Sequence, residues 1–312
     1  MKPLKLKPAF KDYIWGGQKL RTIYNKETDL SPVAESWELS CHKDGHSIIS
    51  GGEYDGKTLD EYIKKNPDSL GTSVQGDELP ILIKLIDAQD NLSVQVHPED
   101  RLAKEMENQN GKTEMWYVID AEKDALITYG VKNPVTKEEL EEAINKKTLE
   151  NLLNRVPSKK GDVFFVEAGT IHAIGKGNLI AEIQQNSNVT YRLYDYGRVD
   201  KNGNERELHI EKGIMASNLD KTEPKEIIKL DDNTRVIGSC EYFVVKEVKL
   251  DGNKTLDADE KSYHAIICVD GSFAISDFST EVKAGETVFV PAGTGKYTVS
   301  GKATLLVTSN PV

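Results

Sequence analysis

The stretch Lys160-Gly-Asp-Val-Phe-Phe-Val-Glu-Ala-Gly-Thr-Ile-His172 occurs in a second, related form as Ala284-Gly-Glu-Thr-Val-Phe-Val-Pro-Ala-Gly-Thr-Gly-Lys296. Both stretches contain a turn of glycine and an acidic or polar residue, an apolar strand, an Ala-Gly-Thr turn and the start of another strand. Counted from Gly161 and Gly285, His172 takes the position that Lys296 takes in the second copy. The repeat therefore predicts two related β units, of which only the first carries the histidine.

Most of the remaining chain consists of short apolar runs separated by Gly, Asp and Asn turns. Such runs are typical of β-strands, and clear examples are 47–50, 81–86, 116–119, 163–166 and 242–250. The repeated pattern of Gly-(Asp/Glu), a buried strand and Ala-Gly-x-x-His resembles the second sequence motif of the cupins, which are jelly-roll barrels. We therefore predict a mainly β protein with two cupin-like jelly-roll modules.

Helical signals are few and lie mostly between the strand after Glu114 and the strand at His172. We predict helices at 58–65 and 99–108 and a helical insertion over 136–154 that ends before Pro157. The residues Thr136-Lys-Glu-Glu139 form a capping box, which is typical of a helix start. We expect a catalytic first domain over residues 1–220 and a degenerate cupin-like domain over 221–312. The boundary is predicted in the polar stretch 217–226.

The composition limits the partners and the location of the protein. The net charge of −11 argues against nucleic acid or an anionic membrane as a partner. Three widely spaced cysteines form no C-x-x-C pair, so the sequence indicates neither a disulfide framework nor a thiolate zinc site. No stretch approaches the roughly 20 apolar residues of a membrane span, and no signal region follows the basic N-terminus. We expect a cytoplasmic protein that is a monomer or a weak homodimer.

Ligand-type side chains recur at strand spacing around Leu92-Ser-Val-Gln-Val-His97-Pro98. Gln95 and His97 share one strand face because they are two residues apart, and Ser93 lies on the same face. Glu114 and His172 add a carboxylate and a second imidazole. Two nitrogens and two oxygens suit a borderline divalent ion such as zinc, and a single carboxylate leaves positive charge for a Lewis acid. We predict a catalytic metal site, in which Gln95 is either a ligand or a hydrogen-bonding neighbour of the ligands.

Lys84 is the only charged residue in the apolar run Pro80-Ile-Leu-Ile-Lys-Leu-Ile86. A run that is apolar on both faces indicates a buried strand, and burial without a partner lowers the pKa of a lysine toward the range of proton transfer. The alternative is an edge strand from which the side chain reaches water.

Two further cationic residues, Lys112 and Arg192, are candidates for the predicted site. Lys112 shares a face with Glu114, which predicts an ammonium group near the metal. Arg192 alternates with Thr190 and Tyr194 on one strand face, where a guanidinium could bind a phosphate or carboxylate; the alternative is a surface salt bridge. The remaining histidines, His42, His46, His209 and His264, are predicted to be structural.

Several segments together resemble type I mannose-6-phosphate isomerases, in particular their short bacterial class. The resemblance is carried by Leu92-Ser-Val-Gln-Val-His-Pro, Gly111-Lys-Thr-Glu-Met-Trp-Tyr and Glu167-Ala-Gly-Thr-Ile-His-Ala, with support from Ile14-Trp-Gly-Gly and Ala34-Glu-Ser-Trp-Glu-Leu-Ser. It extends over most of residues 10–200. The family fold is a zinc-dependent cupin, in agreement with the fold that the internal repeat predicts.

The resemblance also implies roles for individual residues. It implies one zinc ion per chain, held by Gln95, His97, Glu114 and His172. It implies active-site roles for Ser93, Lys84, Lys112, Glu182 and Arg192. The chain departs from the larger relatives in having Ile174 in place of an aromatic residue and Asn186-Ser-Asn in place of a loop with an acidic residue.

The reaction that the resemblance implies is the interconversion of mannose 6-phosphate and fructose 6-phosphate through a cis-enediol. We expect Arg192, with Ser93 and Lys112, to bind the phosphate, and Lys84 or Glu182 to transfer the proton. A non-enzymatic cupin that binds sugar phosphates is the alternative. A metal-dependent oxygenase fits less well, since it usually needs more imidazole ligands than the two that are well placed here.

Overall fold

The computed structural model of the chain describes residues 1–199 and 202–312. Strands dominate these residues, which confirms the prediction of a mainly β protein. The strands are β1 Leu4–Lys7, β2 Ala9–Lys11, β3 Glu35–Leu39, β4 Ile48–Ser50, β5 Ile81–Ala88, β6 Val94–Val96, β7 Glu114–Ala121, β8 Leu126–Val131, β9 Leu153–Pro157, β10 Val163–Val166, β11 His172–Ile174, β12 Asn178–Gln185, β13 Tyr191–Tyr194, β14 Ile228–Lys229, β15 Thr234–Ser239, β16 Val244–Ala258, β17 His264–Ile275, β18 Thr280–Lys283, β19 Thr287–Val290 and β20 Gly295–Ser309.

The helices are short, and several were predicted. They are α1 Lys19–Tyr24, α2 Leu59–Lys65, α3 Asp100–Glu107, α4 Lys137–Asn145 and α5 Ile210–Ala216, with 3₁₀ turns at Pro67–Leu70, Leu149–Asn151 and Ser276–Phe278. The Thr136 capping box is confirmed at the start of α4, and Thr58 forms a second one at α2. Within the described part of the chain, no helix is long and apolar enough to cross a membrane.

The predicted helical segment at 149–154 is wrong beyond its first turn. The 3₁₀ turn ends at Asn151, and β9 begins at Leu153. Residues 153–157 pair with β8, for example Val156 with Ile127. This ladder satisfies the backbone groups that a longer helix would have paired internally, so the sheet overrides the local helical signal.

Two antiparallel sheets from the first part of the chain lie face to face. One has the strand order β10-β7-β12-β5-β3-β2 and the other β13-β6-β11-β8-β9. Strands β5 and β12 are buried along their whole length because the six-stranded sheet is covered on both faces. Alternate residues such as Ile83 and Met115 join a core with Phe243 and Phe289 of the C-terminal region. Residues at the intervening strand positions, such as Trp116 in β7, point into the space between the two sheets.

The third sheet has the strand order β14-β15-β16-β20-β17-β19-β1-β4, with β18 on β17. It combines the C-terminal strands with β1 and β4 from the beginning of the chain. Its apolar core includes Ile266, Phe273 and Tyr297. The division of the chain at residue 220 stays a prediction, since β1 and β4 join the sheet formed mainly by later residues.

The structure reproduces the internal repeat. β10 and β19 follow Gly161 and Gly285, whose φ angles are +88° and +84°, in the left-handed region that favours glycine. His172 at the start of β11 is fully buried, whereas Lys296 in β20 is exposed. The same scaffold therefore directs the two side chains into different surroundings.

Candidate functional site

Three ligand-type side chains meet between the two sheets of the first part of the chain. His97 follows β6, Glu114 begins β7 and His172 begins β11. Their ligand atoms lie within 4.8 Å of one another. The Nε2 atom of His97 is 3.5 Å from Glu114 Oε2, and that of His172 is 3.6 Å from Glu114 Oε1. Among the described residues, this is the one group of at least three His, Cys, Asp or Glu residues with such spacing.

Backbone carbonyls hold both imidazoles in the orientation that a metal ligand needs. His97 Nδ1 donates to the carbonyl of Val189, and His172 Nδ1 donates to the carbonyl of Thr170, each at 2.8 Å. A carbonyl only accepts, so the neutral rings carry their proton on Nδ1 and direct the Nε2 lone pair into the site. Burial lowers the pKa of His172 to about 4, and burial with the charge of Lys112 lowers the pKa of His97 well below its ordinary value. Both rings are therefore neutral at pH 7, and each can donate its Nε2 lone pair to a metal ion.

Glu114 completes a donor set that accommodates a cation. Its side chain is fully buried, and its Oε1 atom has no hydrogen-bond partner. Burial, and next the charge of Glu182, raises the pKa of Glu114 to about 7. The Lys112 ammonium lies 2.6 Å from Glu114 Oε2 and 2.9 Å from His97 Nε2, so these atoms already surround one positive group. Two neutral imidazoles and an unpartnered carboxylate oxygen fit a divalent metal ion.

Gln95 lies beside this group. It pairs directly with His172 across β6 and β11. Its side-chain nitrogen is 3.4 Å from His172 Nε2, and its oxygen accepts a hydrogen bond from Ser93 Oγ at 3.3 Å. The amide is therefore close enough to the ligand atoms to serve as a further ligand or to orient the bound ion's surroundings.

A second buried charge cluster lies next to the candidate metal ligands, on the six-stranded sheet. Lys84 Nζ is 3.1 Å from Glu182 Oε1 and 3.8 Å from Glu35 Oε2. Trp116 Nε1 donates to Glu182 Oε2 at 3.0 Å. The alternative of an edge strand for Lys84 is wrong, because β5 lies between β12 and β3 and the residue is only 3% exposed.

The expected low pKa of Lys84 is also wrong. Burial does act to lower it, but the charges of Glu182 and Glu35 outweigh burial and raise the pKa of this lysine above its ordinary value. In the partner, burial acts to raise the pKa of Glu182, and the charges of Lys84 and Lys112 outweigh it and lower that pKa to about 2. At neutral pH this pair therefore consists of an ammonium and a carboxylate.

Arg192 stands opposite Gln95 on the neighbouring strand β13. Its Nη1 donates to the carbonyl of Glu207 at 2.8 Å, and its Nε atom is buried without a hydrogen-bond partner. No carboxylate forms an ion pair with this guanidinium in residues 1–199 and 202–312, so the alternative of a surface salt bridge is not observed. His209, predicted to be structural, accepts a hydrogen bond from the Arg192 backbone through Nδ1 at 3.2 Å.

A cavity of about 300 Å³ joins these groups. Its lining includes Gln95 and the five predicted substrate-side residues Lys84, Ser93, Lys112, Glu182 and Arg192. It also includes seven polar or aromatic residues without a predicted role: Tyr13, Trp15, Glu35, Trp116, Asn188, Thr190 and Arg206.

Some of these additional residues had a signal in the sequence. Trp15 and Glu35 lie in two of the segments that carried the family resemblance. Strand alternation also places Glu35 on the same face as Trp37, and Trp37 Nε1 donates a hydrogen bond to Glu35 at 2.7 Å. Arg206 had no such signal, because it lies in an irregular polar segment far from every motif.

Comparison with known proteins links the geometry to a family. The model for "Phosphomannose isomerase type I, catalytic domain" matches residues 4–129, and that for "Mannose-6-phosphate isomerase, cupin domain" matches residues 232–310. The chain is 39% identical over 316 aligned positions to the mannose-6-phosphate isomerase ManA of Bacillus subtilis, with 98% of both chains covered. A mannose-6-phosphate isomerase of Streptococcus mutans is 39% identical over 254 positions, which cover 80% of each chain.

Solved structures agree with these relationships. The crystal structure of the mannose 6-phosphate isomerase from Bacillus subtilis matches with a TM-score of 0.91 at 36% identity and covers 99% of both chains. A putative mannosephosphate isomerase from Archaeoglobus fulgidus, at 23% identity and a TM-score of 0.80, supports the fold alone. The predicted cupin fold is therefore confirmed. The chain belongs to the type I mannose-6-phosphate isomerase family, a family of aldose–ketose isomerases.

Proposed function

We propose that this protein interconverts mannose 6-phosphate and fructose 6-phosphate, with one zinc ion held by His97, Glu114, His172 and Gln95. The observation that carries the proposal is the meeting of two neutral Nε2 atoms and a buried carboxylate within 4.8 Å, beside a cavity lined with cations. Zinc suits nitrogen and oxygen ligands of this kind. Membership of the isomerase family favours this enzyme over the alternative of a binding protein without catalysis.

When bound, a divalent ion supplies Lewis-acid stabilisation for the negative oxygens of an enediolate. The residues of the chain then have to move a proton between C2 and C1 of the sugar. Glu182 is the group of the buried pair that can accept a proton at neutral pH, because Lys84 is already protonated. We therefore assign proton acceptance to Glu182. We assign to Lys84 the tasks of orienting that carboxylate and donating hydrogen bonds to sugar oxygens.

The cationic residues of the cavity lining suit the binding of a sugar phosphate. Lys112 contacts both His97 and Glu114, so we assign it to the sugar oxygens near the metal rather than to the phosphate. Arg192, which has no carboxylate partner in the described residues, is the group to which we assign phosphate binding, with help from Ser93 of the same cavity lining. A guanidinium can donate two parallel hydrogen bonds to phosphate oxygens.

A coupled assay with mannose 6-phosphate, performed with metal analysis of the same sample, tests the proposal. We expect isomerisation in protein that contains about one zinc ion per chain. A protein that binds sugar phosphates but does not convert them would contradict the proposed reaction. We also infer a cytoplasmic location and a monomer or weak homodimer; the three free thiols Cys41, Cys240 and Cys268 support a reducing compartment.

A further inference from the structure

Three arginines, Arg192, Arg198 and Arg206, lie close together beside the cavity, around the carboxylate of Asp195. Arg192 and Arg206 both line the cavity. After β13, Val199 and Glu205 form an antiparallel bridge, and Arg206 follows directly. His209 then joins the returning chain to β13, since its backbone N–H donates to the Arg192 carbonyl at 2.8 Å. The fold therefore brings two guanidinium groups, 14 positions apart in the sequence, to the same space.

Asp195 holds Arg206 in this position. The Nε and Nη2 atoms of Arg206 donate to the two carboxylate oxygens of Asp195 at 2.7 and 2.6 Å. Arg198 donates to the same carboxylate and to the carbonyl of Asn91, which ties the turn to the chain just before Ser93. Asp195 is 5% exposed, so its carboxylate is shielded from water, whereas the side chain of Arg206 is 26% exposed. Two parallel hydrogen bonds along the Nε–Nη2 edge restrict the movement of the Arg206 guanidinium, so it stays at the cavity wall.

The positive charge of the cluster exceeds its negative charge. Three guanidinium groups, on Arg192, Arg198 and Arg206, lie around the carboxylate of Asp195, and Arg198 also pairs with Asp90 at 3.9 Å, which leaves a local charge of about +1. Burial, and next the neighbouring charge of Arg206, lowers the pKa of Arg192. A phosphate monoester carries about −1.5 to −2 at pH 7. Such an anion would therefore meet a net positive charge at this cluster, within a protein whose net charge is −11.

We infer that Arg206 is a second phosphate-binding residue beside Arg192, and that Asp195 is the positioning residue that fixes it. This inference rests on the proposed turnover of a sugar phosphate and names a part of its binding site that the family motifs do not contain. In this arrangement Arg206 offers its remaining N–H groups to the phosphate while its Nε–Nη2 edge stays on Asp195. The cluster then selects phosphorylated over unphosphorylated sugars.

The test compares R206A and D195N with the wild type and with the matched control R155A. Arg155 is also an arginine paired with a carboxylate, that of Glu150, but it does not line this cavity. Steady-state kinetics with mannose 6-phosphate are combined with inhibition by inorganic phosphate. We expect R206A to raise both KM and the inhibition constant of phosphate by about 10- to 100-fold, the effect of losing a charge-assisted hydrogen bond. We expect kcat to change by less than about threefold and R155A to resemble the wild type.

D195N keeps the shape of the side chain and removes its charge. We expect a rise of about 3- to 10-fold in KM and in the phosphate inhibition constant, because Arg206 loses its anchor. A purely structural role for Asp195 would lower Tm without changing the inhibition constant, and that result would overturn its assignment. If R206A does not fold, R206Q, which keeps hydrogen-bonding capacity toward Asp195 without the charge, replaces it in the same measurements.

The outcomes separate this inference from the proposed function. An active wild type with unchanged KM and phosphate inhibition in R206A would overturn the role of Arg206 and leave the isomerase proposal intact. If the wild type does not convert mannose 6-phosphate, the proposed function fails. Calorimetric titration of the wild type and R206A with inorganic phosphate then still decides the role of Arg206: weaker binding in R206A supports it, and equal binding contradicts it.

Discussion

Lys84 and Glu182 are direct partners across the β5–β12 ladder, and their charged atoms approach to 3.1 Å with both side chains 4% exposed. Two neighbouring strands thus place an ammonium and a carboxylate on the same face, between the two sheets. The opposite faces of these strands pack against the C-terminal region, so neither side chain can turn away to water. The pair therefore stays in the cavity wall, beside the candidate metal ligands.

Replacing Lys84 should reduce both stability and turnover. Lys84→Met removes the cation beside two buried carboxylates, those of Glu182 and Glu35. We expect a loss of about 3–5 kcal/mol in the free energy of unfolding, the usual cost of leaving a buried charge unpaired. We expect kcat to fall by about 100-fold or more, as for a group that supports proton transfer. Urea denaturation and the coupled assay measure these effects.

The matched control for this variant is Lys64→Met. Lys64 also pairs with a carboxylate, Asp60, but its side chain is 67% exposed. An exposed pair contributes about 0–1 kcal/mol, so this variant should retain nearly full stability and activity. Equal effects of the two substitutions would show that the burial of Lys84 has no functional importance.

The two candidate metal-binding histidines should differ from the other histidines in their effect on metal content. We expect His97→Ala and His172→Ala to lose most of their bound zinc in metal analysis after dialysis, because each removes one of the few ligands. His264→Gln, at a partly buried histidine that hydrogen-bonds Tyr297 at 2.7 Å in the C-terminal sheet, should retain it. Full zinc content in both alanine variants would remove these residues from the site.

His264 itself should make folding dependent on pH. Burial lowers the pKa of this residue to about 4, whereas an unfolded histidine titrates near pH 6.5. Between these values the unfolded chain binds the additional proton, so stability falls as pH decreases from about 6.5 toward 4. The loss from this one group between pH 7 and pH 5 is about 2 kcal/mol. Urea denaturation at both pH values should show a correspondingly smaller decrease for His264→Gln, and an unchanged decrease would contradict the neutral buried state.

Removing Arg192 should act mainly on the phosphorylated substrate. We expect Arg192→Ala to lower kcat/KM for mannose 6-phosphate by about 10- to 100-fold, since a charge-assisted contact with phosphate is lost. Inhibition by inorganic phosphate should weaken by a similar factor. If kcat/KM remains at the wild-type value, the phosphate does not bind at Arg192.

Much of the fold could be predicted because its signals are local. The buried run that became β5 and the repeat around Gly161 and Gly285 identified the strands and the two related units. The pairing of β1 with β19 joins Leu4 to Phe289, and such an association between distant segments leaves no periodic trace in the sequence. The helical signal at 149–154 failed for a related reason, since its last residues are taken by the ladder with β8.

The candidate site likewise has residues that local sequence signals identify and properties that depend on long-range contacts. Gln95, His97 and Glu114 could be found from strand spacing and residue type. The protonation of Lys84 could not, because the direction of its pKa shift depends on Glu182 and Glu35, which only the folded sheet brings beside it. Arg206 was missed because its position depends on hydrogen bonds to Asp195, 11 residues earlier, which no sequence motif marks.

The most direct test of the account is the isomerisation of mannose 6-phosphate by one preparation before chelation, after chelation and after zinc is restored. The proposed metal centre predicts that activity disappears with the bound metal and returns in proportion to zinc, saturating near one ion per chain. Full activity in protein that contains no metal would contradict the central claim.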